Sequence, residues 1–120
     1  MGLPLAYRLR NRHDYRTVYE QGLRRYSPHL TLIALAPSDP LAMSNTMFGI
    51  SIGKKVSKKA VIRNRLKRQI KGVIRTYLLS INPGWKVIII VKPQAIECKY
   101  EHFLRELEEL LKQAKIINGH

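Results

Sequence analysis

The stretch Gly53–Arg75, GKKVSKKAVIRNRLKRQIKGVIR, holds ten Lys and Arg between Lys54 and Arg75 and no Asp or Glu. Within it Ile62, Leu66, Ile70 and Val73, continued by Tyr77, recur at the spacing of one face of an α-helix. Ser57 is a natural N-cap, and the periodicity predicts a helix from there to about Leu79. Placing residues at 100° intervals around Leu66 puts Asn64, Arg68, Lys71 and Arg75 on the opposite side. Arg65 and Lys67 flank that side, and Arg63 lies nearer the margin. The result is a basic ridge ~30 Å long at ~1.5 Å per residue. A merely solvated face would interleave Glu with these cations. Unrelieved like charge weakens a free domain, and a phosphate backbone that releases counterions on binding removes that penalty.

The rest of the chain is read outward from this helix. Before it, Thr46, Phe48, Ile50 and Ile52 alternate with smaller or less apolar residues as in a strand, and His29–Ala36 is rich in β-formers. A short strand near Leu23–Tyr26 fits as well. Asn11 and Asp14 open a first helix that Gly22 closes. After the basic helix comes Val87–Val91, a β-branched run suited to a strand covered on both faces, ended by Pro93. The last element is an amphipathic helix with Tyr100, Phe103, Leu104, Leu107, Leu111 and Ala114 on its apolar face. There Glu101 with Arg105 and Glu108 with Lys112 are spaced i, i+4. The order α-β-β-β-α-β-α, with a short first strand, predicts an α+β fold: a small mixed sheet with packed helices.

At 120 residues the chain predicts one domain over 1–120 with flexible ends. Breaks are expected at Pro37–Ser44 and at Asn82-Pro83-Gly84. Net charge is +14, and it is uneven: 18 basic and 3 acidic residues lie in 1–96, against 4 and 5 after that. The anion-binding surface therefore belongs to the first part of the chain. Cys98 stands alone, so its ordinary reading is a structural thiol in a reducing compartment. The apolar runs are shorter than the ~20 residues that span a bilayer, and the N-terminus has no extended apolar region. A cytoplasmic protein with no membrane partner is expected. The four histidines are scattered, no H-E-x-x-H occurs, and Phe48 and Lys55 break a P-loop.

Phe48-Gly49-Ile50-Ser51-Ile52, then Lys54-Lys55, then Ala60-Val61-Ile62-Arg63-Asn64-Arg65-Leu66-Lys67-Arg68 resembles the signature of the bacterial ribonuclease P protein component, whose core is Arg-Asn-Arg. The resemblance extends to Leu3-Pro4, Arg8-Leu9-Arg10, Tyr15–Tyr19 ending at Gly22, and Val87–Pro93. It implies an accessory subunit of an endoribonuclease, in which a catalytic RNA removes the 5′ leader of precursor tRNA using Mg²⁺ held through the RNA. The protein supplies no catalytic side chain and binds no metal of its own. Partners implied are the catalytic RNA and precursor tRNA, with no obligate protein partner.

By matching positions, Lys54, Lys55, Arg63, Asn64, Arg65, Lys67, Arg68 and Lys71 face the catalytic RNA. A cleft between the first helix and the sheet takes the leader, with Arg12, Tyr15, Arg16, Tyr19, Ile33 and Ser51 as its candidate residues. Aromatic rings stack on any base, whereas the bland alternative packs Tyr15 and Tyr19 onto the sheet. Gly49 and Ser51, both small, are expected to leave room for RNA.

The chain departs from the family pattern at several positions. Met47 stands where a basic residue is usual, Ile33 where an aromatic can line the cleft, and tyrosines replace phenylalanines at 15 and 19. Ser57-Lys58-Lys59 lacks a glycine common there. The resemblance also implies a left-handed crossover from the third strand through the basic helix to the last strand, against the usual rule. A ribosomal or other structural RNA-binding protein is the alternative function. A DNA-binding module comes third, and a protein-only nuclease would have to act without RNA.

Overall fold

In the computed structural model the described residues are 3–39, 41 and 44–117. The expectation of flexible ends and part of the Pro37–Ser44 break fall outside them. The elements are α1 (Arg12–Gln21), β1 (Leu23–Tyr26), β2 (Leu30–Leu35), β3 (Met47–Ser51), α2 (Ala60–Tyr77), β4 (Lys86–Val91) and α3 (Tyr100–Gln113), with 3₁₀ turns at Leu5–Tyr7, Leu78–Ser80 and Pro93–Glu97. This is the expected α-β-β-β-α-β-α order.

The sheet runs β1-β2-β4-β3. β2 is antiparallel to both neighbours, and β3 lies parallel to β4. Parallel neighbours need a crossover, and α2 supplies it. Because side chains alternate along a strand, the sheet divides its apolar residues between two layers. Leu30, Leu32, Ala34, Phe48, Val87, Ile89 and Val91 pack with Leu66, Ile70, Val73 and Ile74 of α2 and with Phe103, Leu107, Leu110 and Leu111 of α3. On the other face Ile33 and Ile88 meet Leu9 and Val18. Val18 is the one fully buried side chain of α1. At roughly 1.5–3 kcal/mol per buried aliphatic side chain, the α2/α3 layer carries most of the apolar stabilisation.

Two helix ends differ in cause from the sequence expectation. α2 begins at Ala60, not just after Ser57, because the Ser57 hydroxyl accepts from the Lys59 amide at 3.1 Å and closes a separate turn. Lys59 then takes the N-cap position with extended backbone and no side-chain cap. α1 has its expected cap, the Asn11 side chain accepting from the His13 amide at 2.8 Å. Gly22 ends it with extended rather than left-handed backbone. Its glycine is required by close approach: a Cβ there would lie 2.6 Å from the Val18 carbonyl and 2.8 Å from Ile33 Cγ2.

α3 is tied down by acids whose partners the i, i+4 pattern only partly identifies. Glu108 pairs with Lys112 at 2.9 Å and accepts from the Tyr77 hydroxyl. Glu106 accepts from Ser27 Oγ at 2.5 Å, from the His29 amide at 2.9 Å and faces His29 Nδ1 at 2.6 Å. This clamps the β1–β2 turn to α3. No Glu101–Arg105 ion pair forms among the described residues.

Candidate nucleic-acid interface

The buried stripe of α2 fixes which of its cations reach solvent. Asn64, Arg65, Arg68 and Arg75 are exposed, as are Lys54, Lys55, Lys58 and Lys59 ahead of the helix. Arg63, Lys67 and Lys71 are half-buried. Two guanidiniums also hold the scaffold: Arg63 Nη1 donates to the Ser57 carbonyl at 2.8 Å, and Arg65 Nη2 to the Ile96 carbonyl at 3.0 Å. Each guanidinium has five N–H donors, so both keep donors for phosphate while their position is fixed.

Lys67 and Lys71 turn toward the N-terminal segment. Arg8 forms a bridge beside Phe48, and the Leu9 amide donates to the Phe48 carbonyl at 2.9 Å. This extends the sheet edge past β3 and brings Arg8 and Arg10 to a cleft of about 270 Å³ shared with Tyr15, Gly49, Lys67 and Lys71. Burial and the charges of Arg8 and Lys67 push the Lys71 ammonium below its ordinary pKa. Cations crowded enough to perturb one another favour an anion between them. Arg8 and Arg10 are not among the expected RNA-binding positions. The signal that could have found them is the Arg-Leu-Arg alternation around the buried Leu9.

α1 crosses the strands, since Tyr15 lies over Gly49 on β3 while Gly22 packs on Ile33 of β2. One flank of α1 leans on the Met47–Lys86–Leu35 row, where Asp14 pairs with Lys86 at 2.9 Å. The other flank, Arg12, Tyr15, Arg16 and Tyr19 at helical spacing, borders the row Ser51–Ile90–Thr31–Tyr26. Arg12 and Arg16 are exposed, and Tyr19 is 39% exposed. Tyr15 is half-buried against the Leu9, Val18, Ile33 and Ile88 cluster. Burial, with a smaller contribution from Tyr19, raises its phenol pKa. Tyr15 thus takes the packed role and Tyr19 the open one.

Two cleft expectations need correction. Ile33 is completely buried beneath α1, so it supports the cleft from below and touches no ligand. Gly49 leaves no free room, because a Cβ there would lie 2.2 Å from Tyr15 Oη; the phenol already fills that space. The open floor lies one row further along, at Ser51 and Ile90, both half-buried.

Among the described residues one group, His29, Cys98 and Glu106, brings metal-type donor atoms within 4.8 Å of one another. It lies at the α3 clamp. Mg²⁺ demands oxygen ligands, and this group offers a thiol and an imidazole already facing the carboxylate. The group does not fit Mg²⁺. Burial, with Glu106 and Glu97 adding to it, raises the Cys98 pKa, in keeping with a structural thiol. Among the described residues no helix is long and apolar enough to cross a membrane.

The family model for Ribonuclease P matches residues 3–115. The chain is 60% identical over 120 residues to the ribonuclease P protein component of Microcystis aeruginosa, covering all of both chains. It is 53% identical over 121 residues to that of Rippkaea orientalis, covering all of this chain and 95% of the relative. Its fold is similar to the RNase P protein of Staphylococcus aureus, with TM-score 0.82 and 26% identity over 94% of this chain and 99% of that one. With the Arg63-Asn64-Arg65 helix, the cleft and the strand order all in place, the chain belongs to the family of ribonuclease P protein components.

Proposed function

We propose that the chain is the protein subunit of ribonuclease P, binding the catalytic RNA through α2 and the 5′ leader of precursor tRNA along the α1 cleft. The observation that carries this is the junction of the two surfaces: Arg8, Lys67 and Lys71 meet Tyr15 and Gly49 in one cleft. An RNA held on α2 and a single strand held under Tyr19 therefore lie side by side. Phosphates on the catalytic RNA pair with Arg63, Arg65, Lys67, Arg68 and Lys71, and with Lys54 and Lys55 ahead of the helix. Asn64 both donates and accepts, so it suits a ribose or base edge. Arg12 and Arg16 pair with leader phosphates, Tyr19 stacks on leader bases, and Ser51 lies on the floor.

Cleavage of the phosphodiester belongs to the RNA, and Mg²⁺, held by the RNA, supplies the electrostatic stabilisation of the reacting phosphate. The chain's own contribution is positioning and charge compensation, both of which matter most when Mg²⁺ is scarce. The setting is cytoplasmic, without membrane or obligate protein partner.

Single-turnover cleavage of a precursor tRNA at low Mg²⁺ tests this, with the source organism's catalytic RNA, with and without the protein, and with protein alone. Stimulation only when RNA and protein are combined is expected. No stimulation, with tight salt-sensitive binding to ribosomal RNA, would replace this reading by the structural RNA-binding one. Cleavage by protein alone would overturn it.

A further inference from the structure

The row of Ser51 and Ile90 on the α1 face does not end there. Through the register it passes Thr31, which is buried, and surfaces again at Tyr26 on the edge strand β1. Tyr26 is 63% exposed, the most exposed aromatic on this face. Lys92 Nζ lies 5.8 Å from the ring centroid and is held there by donating to the Ser27 carbonyl at 2.7 Å. Arg24, on the same face of β1, donates to the Tyr19 carbonyl at 3.3 Å, which joins the end of α1 to this corner. An exposed ring with a fixed ammonium over it and a second cation two residues away on the same strand face is the arrangement that stacks a base and pairs its phosphates.

We infer that Tyr26, with Lys92 and Arg24, forms a second stacking platform for the distal part of the leader; this rests on the function proposed above. The direction follows from the sheet order. The catalytic-RNA face of α2 adjoins the β3 end of the cleft, so the cleavage site lies there and the free end of the leader runs toward β1. Three inter-strand steps of about 4.8 Å separate β3 from β1, about 14 Å. Stacked nucleotides advance about 3.4 Å each, so about four stacked nucleotides, or fewer in an extended strand, carry the leader from the β3 end of the cleft to Tyr26 on β1.

The experiment measures precursor tRNA affinity of the holoenzyme for leaders shortened one nucleotide at a time, with wild type, Tyr26→Phe, Tyr26→Leu and Tyr26→Ala. Tyr26→Leu and Tyr26→Ala are expected to weaken binding about tenfold for long leaders, and not at all once the leader is too short to reach β1. Tyr26→Phe keeps the wild-type length dependence. Equal effects at every length, or none at any, would overturn the inference. Loss of leader dependence on changing Tyr19, alongside no effect at Tyr26, would overturn the platform while leaving the proposed function intact. If neither position alters leader dependence, the cleft assignment itself falls.

Discussion

Substituting Gly49→Ala isolates the packing that shapes the cleft. The added methyl would lie 2.2 Å from Tyr15 Oη, 2.7 Å from Cζ and 2.9 Å from Cε1. Optimal heavy-atom separations are about 3.5–4.0 Å, so the ring has to move by roughly 1 Å or more. β3 cannot retreat, since Gly49 is in register with Ile88 in the centre of the β3–β4 pairing. Gly49 has no positive φ, so alanine meets no backbone strain there and the clash with the phenol alone decides the outcome. Overpacking costs about 1–3 kcal/mol, and replacing a strand glycine returns about 0.5–1 kcal/mol. The net loss is about 1 kcal/mol, a drop of about 0.5 M in urea midpoint at a slope near 2 kcal/mol/M. Repeating the substitution in a Tyr15→Ala background removes the clash, so there Gly49→Ala is expected to be neutral or stabilising. Urea unfolding of the four proteins gives the coupling energy, expected at about 1–3 kcal/mol. The same cost in both backgrounds would refute the packing argument, and with it the assignment of Tyr15 as the cleft wall.

Asn64→Ala with Arg68→Ala should weaken catalytic-RNA binding and reduce its salt slope by about 0.7–0.9 for each phosphate that is no longer neutralised, while the melting temperature stays put; Arg65→Ala should lower both, because its guanidinium also holds the Ile96 carbonyl. Burial pushes the Glu106 carboxyl up, but hydrogen bonds from Ser27 and His29 outweigh it and hold the pKa below the ordinary value. That stability is full above the unfolded pKa and is lost as pH falls through the folded one, so Glu106→Gln should flatten the acid limb of a stability–pH profile below about pH 4.3. Burial, then the hydrogen bond to Glu108, pushes Tyr77 up to about 12. The folded state keeps that proton longer than the unfolded chain, so stability falls as pH rises from about 10 toward 12, and Tyr77→Phe should remove this decline; an unchanged alkaline limb would show that the hydroxyl titrates freely.

Much of the layout was legible because it depends on periodicity. The four-four-three-four spacing of α2 and the alternation of Phe48 and Ile50 against Gly49 and Ser51 state which side each residue faces before any neighbour is known. Charge distribution likewise separated the basic surface from the acidic α3. Boundaries were less legible: Ser57 has the chemistry of an N-cap, yet its hydroxyl closes a turn that ends at Lys59, just ahead of the helix. Leu110 is buried beside Leu111, although the expected apolar face of α3 does not include it. The α2/α3 layer is wide enough to take both.

By itself the sequence determined the elements, their order, the outward basic ridge and the family signature, because these follow from local spacing and residue chemistry. Only the tertiary structure decided what fills the space over Gly49, that Ile33 lies beneath the cleft and not in it, and that Arg8 and Tyr26 belong to the same surfaces as Lys71 and Ser51. Those facts depend on strand register and on where α1 crosses the sheet. Both are set by packing between residues far apart in the chain, which no local pattern encodes.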